Sequence, residues 1–259
     1  MISESEIRSG LRTHDFGQTV YSFEVIESTN LFAKSLPAQS ASHGTLIIAD
    51  EQTAGKGRLG RRWQSEKGAN LLFSLILHPK FHFEKTKLLP FAAGLAVADA
   101  IERYTGLKTE CKWPNDVLIE KKKAAGILME TAMQDTITKE IILGIGVNVN
   151  QQLFPPELAP TATSLFLQSG KTIERIPLLH TLLEELEHRY NQLAQFPSSL
   201  IIEDWKRHTT MMKSTVFLLE GSIQKAVTAL DITPEGALVI LAADGKQREI
   251  FAGDVSLRY

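Results

Sequence analysis

The stretch TLIIADEQTAGKGRLGRRWQSEKGANLLFSLIL, residues 45–77, places two apolar runs on either side of a polar, glycine-rich segment. TLIIAD at 45–50 and NLLFSLIL at 70–77 are short and rich in large apolar residues, and they read as strands. The segment between them, Glu51 to Ala69, has the composition of a surface loop, and loops carried on a rigid sheet are common sites of ligand binding. Inside it, GKGRLGRRW at 55–63 alternates three glycines with four basic residues before an aromatic. Glycine lets the chain turn back with its N–H groups directed inward, and Lys and Arg add charge-assisted bonds to carboxylate or phosphate. The same composition also suits a solvated basic turn with Trp63 as an apolar anchor. With no Ser or Thr after Lys56, it is not the GxxxxGK[ST] phosphate loop.

Outward from this stretch the pattern is mixed. VYSFEVI, 20–26, predicts a strand, and Ser28, Thr29 and Asn30 supply caps for a short helix through LFAKSL. LLPFAAGLAVADAIERY, 88–104, predicts a helix against the sheet. TECKWPNDVLIE at 109–120, AGILMET at 125–131 and EIILGIGVNV at 140–149 predict three further strands, and ATSLFLQSG a short helix ending at Gly170. In 176–196, Leu179, Leu182, Leu183, Leu186 and Tyr190 share one helical face, and SLIIEDWKRHT continues the helical region. Past about Thr210 only short strand candidates remain: STVFLLE, AVTALDI, GALVILAA and REIFAG. They predict a small barrel-like unit that leans on the main domain, since so short a chain is marginal alone. The first 17 residues are polar and too few for a domain. The expected division is an extension at 1–19, a main domain at 20–210 and a terminal domain at 211–259.

Composition narrows the function classes. The 259 residues, 43% of them hydrophobic, suffice for one large core. Twenty-eight Lys plus Arg against 30 Asp plus Glu give a net charge of −2, so bulk charge favours neither nucleic acid nor an acidic membrane. A single cysteine, Cys111, excludes an intramolecular disulfide or a cysteine-based zinc cluster, and no His pair forms HExxH. With no signal-peptide pattern and no run of 18 apolar residues, the expectation is a soluble, cytoplasmic protein without membrane attachment.

Two more blocks look chemical. In CKWPNDVLIEKKKAAGILME, 111–130, Pro114 forces a strand edge or bend at which Lys112, Asn115 and Asp116 become fixed, and Lys123 stands just before AAGI. Two of the lysines at 121–123 read as a charged hairpin turn, and Asp116 as either a turn residue or a magnesium ligand beside phosphate. In LGIGVNVN, 143–150, Gly144 and Gly146 face one side and leave room for a flat ligand, with Asn148 on the same face; a packed bulge is the other reading.

In family order, STN at 28–30, EQTAGKGRLGRRW at 51–63, KWPNDV at 112–117, KAAGILME at 123–130, GIGVNVN at 144–150 and GDVSLR at 253–258 make the chain resemble the biotin protein ligases over about residues 20–259. The resemblance implies an α+β fold. It consists of a mixed sheet with flanking helices, akin to class II aminoacyl-tRNA synthetases and lipoate ligases, followed by a small SH3-like C-terminal domain. It also implies two reactions with ATP, biotin and Mg²⁺. The biotin carboxylate attacks the α-phosphate of ATP to give biotinyl-5'-AMP and pyrophosphate. A lysine amine of a biotin carboxyl carrier protein, from acetyl-CoA carboxylase or another biotin-dependent enzyme, then takes the biotinyl group.

By the same resemblance, Arg58, Lys123 and Asp116 are the expected catalytic residues, with Asp116 binding Mg²⁺ or orienting the incoming amine. Biotin is expected at Ser28, Thr29, Asn30, Gln52, Gly55, Lys56, Gly57, Arg58, Lys123, Gly126, Gly144 and Gly146. ATP is expected at Arg58, Arg61, Trp63, Lys112, Asn115, Asn148 and Arg258. Bifunctional members carry a helix-turn-helix domain before the catalytic domain, where only about 19 residues stand here, so direct DNA binding is not expected. The protein is expected as a monomer or homodimer. Lipoate or octanoate transfer, and non-enzymatic retention of biotinyl-AMP, are the competing readings.

Overall fold

The computed structural model describes residues 2–37, 41–134, 137–220, 223–251 and 256–258. A short helix α1 (Glu4–Arg8), closed by a Ser3/Glu6 capping box, precedes β1 (Val20–Ile26), α2 (Thr29–Ser35), β2 (Thr45–Gln52) and β3 (Leu71–Leu77). Helices α3 (Phe83–Thr86) and α4 (Leu89–Thr105) follow, then β4 (Glu110–Lys112), β5 (Asp116–Ile119), β6 (Lys122–Gln134) and β7 (Ile137–Val147). Helices α5 (Leu165–Ser169), α6 (Arg175–Gln195) and α7 (Ser199–Arg207) lead to the terminal strands β8 (Thr215–Glu220), β9 (Ile223–Ile232), β10 (Leu238–Leu241), β11 (Gln247–Ile250) and β12 (Ser256–Arg258).

Strands β1 to β7 form one mixed sheet in the order β1-β2-β3-β7-β6-β5-β4, with β1 parallel to β2 and the other pairs antiparallel. The register decides which side does what. Phe73, Ile145 and Ile127 are paired across β3, β7 and β6 and join the main core with α4 and α6. One residue on, three rows face the other way: Leu72–Gly146–Gly126, Ser74–Gly144–Leu128 and Ile76–Ile142–Glu130. That second face is covered only in part, by α2 through a small cluster of Ala33, Ile47, Ile76 and Ile142. Between α2 and the β4–β5 hairpin it is lined by small or polar residues, and there the site lies.

The expected helices are found with ends shifted by at most three residues, the largest shift at α5, which begins at Leu165. Helix α4 ends at Gly106, whose φ of 74° is the left-handed cap, and α6 buries all five residues expected on its apolar face. One strand expectation is corrected: TECKWPNDVLIE is not one strand but the hairpin β4–β5, turning at residues 113–115 with a cis Trp113–Pro114 bond. Pro114 cannot donate to the ladder, so the strand breaks and folds back. The polar N-terminal segment packs on the rest of the chain, with Ile7 and Phe16 fully buried in the main core and the Ile7 carbonyl meeting His180 Nε2 at 2.7 Å.

The terminal strands form an antiparallel sheet ordered β11-β10-β9-β8-β12, and Val216, Leu218, Ala229, Leu238 and Ile240 share the main core. Trp113, in the β4–β5 turn, donates its indole N–H to the Gly236 carbonyl at 3.1 Å, and a Cβ on Gly236 would lie 2.9 Å from the Phe91 ring. The unit thus leans on the main domain. Among the described residues no helix is long and apolar enough to cross a membrane.

Candidate active site

The glycine-rich loop is a small hairpin. Trp63 N–H bonds the Gly55 carbonyl at 2.9 Å, Gly57 N–H bonds that of Arg61 at 2.7 Å, and Lys56 pairs with Arg62 between them. Its tip is a 3-10 turn over Arg58–Gly60, reversed by left-handed backbone at Leu59 and Gly60. A Cβ at Gly55 would sit 2.9 Å from the Trp63 carbonyl, so the stem closes only around glycine. The hairpin aims Arg58 at the β4–β5 turn, where Nη1 donates to Asn115 Oδ1 at 3.1 Å. Asn115 is fixed in turn by its own bond to the Ile127 carbonyl at 2.5 Å. The next residue, Asp116, places Oδ1 2.6 Å from Lys123 Nζ. Two adjacent residues, the last of the turn and the first of β5, therefore hold Arg58 and Lys123. Burial lowers the Arg58 pKa from its ordinary value, nearby Asp116 opposes that shift, and an arginine stays cationic.

Lys123 is held at the backbone as well, its N–H on the Thr161 carbonyl at 2.7 Å and its carbonyl accepting from Thr163 at 2.9 Å. Its ammonium lies 5.3 Å from the Trp63 ring centroid. Beneath that ring are Gly126 and Gly146, paired across β6 and β7. Cβ atoms there would come within 3.0 Å of Trp63 Cζ3 and 2.6 Å of Trp63 Cε2 respectively. Room for a flat ligand is expected over these glycines, and in this structure the indole lies there. Trp63 Nε1 is buried without a hydrogen-bond partner. At Gly144 the space belongs to the protein: a Cβ would sit 2.9 Å from Asn30 Cγ and Nδ2.

The STN block opens α2 on the same face. Thr29 N–H donates to Gln52 Oε1 at 2.7 Å, Thr29 Oγ1 lies 2.7 Å from Ser74 Oγ, and Asn30 is wedged between Ser74 Oγ at 2.5 Å and Glu130 Oε2 at 2.8 Å. Lys34 Nζ holds the other Glu130 oxygen at 2.5 Å. Burial would raise the Glu130 pKa, but the bonds from Lys34 and Asn30 outweigh it and hold the carboxyl below its ordinary value. At the far end, Asn148 donates to the Thr163 carbonyl at 3.0 Å while its Oδ1 is buried without a hydrogen-bond partner. A cavity of about 500 Å³ opens between loop residues 56–61 and the strand residues Leu128 and Glu130.

The structure thus brings Thr29, Asn30, Gln52, Arg58, Trp63, Asn115, Asp116, Lys123, Gly126, Gly144, Gly146 and Asn148 onto one face. Ser28, buried, stands at the N-cap position of α2 beside them but without the side-chain cap bond expected of it, and Lys112 faces Asp116 across the β4–β5 ladder. Arg61 closes the loop stem, its carbonyl accepting from Gly57 N–H, and Lys56 sits exposed on that stem. Arg258 lies on β12 opposite Phe217, and the expectation for its side chain falls outside the described residues. Sequence reasoning missed Ser74, Lys34 and Glu130 as parts of the site. Ser74 had a signal, a hydroxyl inside the otherwise apolar run LLFSLIL. Among the described residues no three His, Cys, Asp or Glu side chains gather to hold a metal.

Residues 22–148 match the Biotin/lipoate A/B protein ligase family and residues 218–258 the Biotin protein ligase C terminal domain. The bifunctional ligase/repressor BirA of Bacillus spizizenii is 39% identical over 99% of the chain and 79% of its own length. The chain belongs to the biotin protein ligase family. Among other ligases of the family, the biotin–[acetyl-CoA-carboxylase] ligase of Mycobacterium tuberculosis is 33% identical over 90% of this chain and 87% of its own. The structure of the Aquifex aeolicus biotin protein ligase in complex with biotin and ATP is 32% identical over 93% of this ligase and 99% of that chain, with a TM-score of 0.80. The expected α+β fold, with its mixed sheet and terminal antiparallel sheet, is that of the family. The first matched family covers both biotin and lipoate ligases, whereas the second is described for biotin protein ligases.

Proposed function

We propose that this chain is an ATP-dependent biotin protein ligase that adenylates biotin and then transfers it to a lysine of a biotin carboxyl carrier domain. The observation that carries this reading is the convergence of Arg58 and Lys123 on the adjacent residues Asn115 and Asp116, on the sheet face that also carries the hydrogen-bonded pair Thr29 and Gln52. A carboxylate and a triphosphate repel each other, and two fixed cations are what brings them into line.

In the first step a biotin carboxylate oxygen bonds to the α-phosphorus of ATP, the bond from that phosphorus to the bridging oxygen breaks, and pyrophosphate leaves. Lys123 is placed to hold the carboxylate and Arg58 the α-phosphoryl oxygens, where negative charge develops. In the second step the carrier amine bonds to the acyl carbon, AMP leaves with the electron pair of the C–O bond, and the amine proton passes to Asp116 or solvent. Thr29 and Gln52 hold the ureido ring, Ser28 and Gly55 to Gly57 enclose it, and Trp63 packs against the ligand from the sheet. Asn148 Oδ1, a buried acceptor without a partner, suits an exocyclic amine such as that of adenine. Lys112, paired with Asp116 across the β4–β5 ladder, adds positive charge at the nucleotide end.

Mg²⁺ commonly arrives on the nucleotide, keeping waters and phosphate oxygens and taking one or two protein carboxylates. A site with one carboxylate, Asp116, and no three-donor cluster among the described residues fits an ion of that kind. Bound there, it would neutralise charge on the triphosphate. The direct test is ATP-dependent incorporation of labelled biotin into a purified carrier domain, beside a carrier whose target lysine is replaced and beside lipoate. Transfer of biotin to the intact carrier alone is expected. The absence of both transfer and biotinyl-AMP formation would overturn the reading.

A further inference from the structure

The glycine-rich segment that carries Arg58 and Trp63 leaves the sheet after Asp50 and rejoins it at Asn70, and both feet are held from behind the sheet. Along β2, Leu46 and Ile48 enter the main core while Ile47 faces the other way, so the register puts Asp50 on the core side. There Arg175, the first residue of α6, donates through Nη1 to Asp50 Oδ1 at 2.8 Å and to the Asn70 carbonyl at 3.1 Å. One guanidinium thus joins the end of β2 to the residue before β3. The two feet also meet each other, Gly68 N–H donating to the Asp50 carbonyl at 3.0 Å. Asn70 is fixed by its own side chain, whose Nδ2 donates to Gln151 Oε1 at 2.6 Å and whose Oδ1 accepts from Val149 N–H at 2.9 Å. Arg175 is itself aimed: two residues before it, Ile173 exchanges a pair of 2.9 Å bonds between its backbone and the Asn150 amide. Asp50, Asn70 and Gln151 are 4%, 0% and 3% exposed, so water does not compete for these bonds.

A cation in the first turn of a helix opposes the macrodipole, so α6 itself does not call for an arginine there. The use of Arg175 lies in what it reaches. Burial would raise the Asp50 pKa, but the bond and charge of Arg175 help to hold the carboxyl below its ordinary value. We infer that Arg175 is a positioning residue for the biotinyl-AMP site: by clasping both feet of the glycine-rich segment it fixes the base from which the 55–63 hairpin closes, and so sets how long the adenylate is held. It acts through Asp50 and Asn70 on the hairpin that brings Arg58 to Asn115. With the feet clasped, opening is confined to the segment between them, and each closure returns Arg58 to the same turn. The inference rests on the reading of that hairpin as the cover of the adenylate and adds what anchors it.

The test follows release of labelled biotinyl-AMP from the full chain, formed from biotin and ATP without a carrier. Arg175→Met is expected to raise the release rate by about 10-fold through a small displacement of the hairpin, while pyrophosphate exchange at saturating substrate stays within about threefold. Arg175→Lys, which keeps the charge and a donor, should recover part of the retention. In an Arg58→Gly background the hairpin no longer reaches Asn115, so Arg175→Met should there add less than about twofold. A residue that merely stabilises the fold would add the same factor in both backgrounds. That result, or unchanged release from folded Arg175→Met, overturns the inference by itself. If Arg175→Met strands the Asp50 carboxylate and does not fold, Asp50→Asn combined with Arg175→Met removes both charges and carries the same expectations. Absence of biotinyl-AMP formation by the unaltered chain overturns the proposed function, and the inference falls with it.

Discussion

Gly146→Ala tests the site's most confined contact. The added methyl would lie 2.6 Å from Trp63 Cε2 and 2.7 Å from Cζ2, where carbon atoms normally rest about 3.5–4.0 Å apart. The backbone at Gly146 lies in β7 without positive φ, so alanine costs nothing there, and the whole penalty comes from the indole. To restore contact the ring must lift by about 1 Å, and no hydrogen bond at Nε1 resists the movement. Overpacking of this size costs about 1–3 kcal/mol, or a fall in Tm of about 2–4 °C per kcal/mol for a chain of this length. Lifting the ring also disturbs Lys123, 5.3 Å above it, so the KM for biotin should rise along with the loss of stability. Trp63→Phe removes the fused atoms that collide. In a double-mutant cycle read by urea denaturation, the alanine should therefore cost much less when combined with Trp63→Phe, with a coupling of about 0.5–3 kcal/mol. Costs that simply add, to within about 0.5 kcal/mol, would refute the placement of Trp63 on this glycine floor.

Arg58→Gly removes the bond to Asn115 that ties the loop to the β4–β5 turn, and with it a cation on the adenylate. Release of free biotinyl-AMP, followed by chromatography without a carrier, should rise by about 10- to 100-fold, and an unchanged rate would defeat the retention role. Lys123→Met should slow adenylation by about 10²–10³-fold in pyrophosphate-exchange assays while shifting stability by about 1 kcal/mol, since its partner Asp116 is only partly buried. His208 carries a raised pKa, chiefly from its hydrogen bond to Asp99, with burial opposing. Its folded value lies above the unfolded one, so its charge stabilises the fold fully below about pH 6.5 and the contribution is lost as pH rises through the folded value. The stability difference between the protein and His208→Gln should shrink over that window in denaturation curves taken pH by pH, and a constant difference would contradict the assignment.

What the sequence could show followed the range of the forces involved. The α4 and α6 helices were legible because apolar spacing and a terminal glycine such as Gly106 are local signals. The break of 109–120 into a hairpin was half visible in Pro114, which announces a bend without saying that the chain folds back on itself. The basic loop was equally compatible with a solvated turn, and its hairpin form becomes evident only in the pairing of Gly57 with Arg61. The contact of Asn30 with Glu130, 100 residues apart in sequence, depends on the β6–β7 register, which no local pattern fixes. The same holds for Gly126 and Gly146: two glycines far apart in sequence make a floor only once their strands pair. The burial of Ile7 and Phe16 in a segment read as polar was not legible because the core that receives them is built by residues far downstream.

The Trp113 indole offers a last consequence. Its N–H reaches the Gly236 carbonyl from the same turn whose next residues, Asn115 and Asp116, meet Arg58 and Lys123. The terminal sheet therefore acts as a buttress for the turn, and distance from the chemistry does not make it interchangeable. A chimera that grafts a relative's terminal sheet onto this chain would have to bring matching partners for Trp113 and Phe91, because otherwise the joint, rather than either module, would set how well the enzyme works.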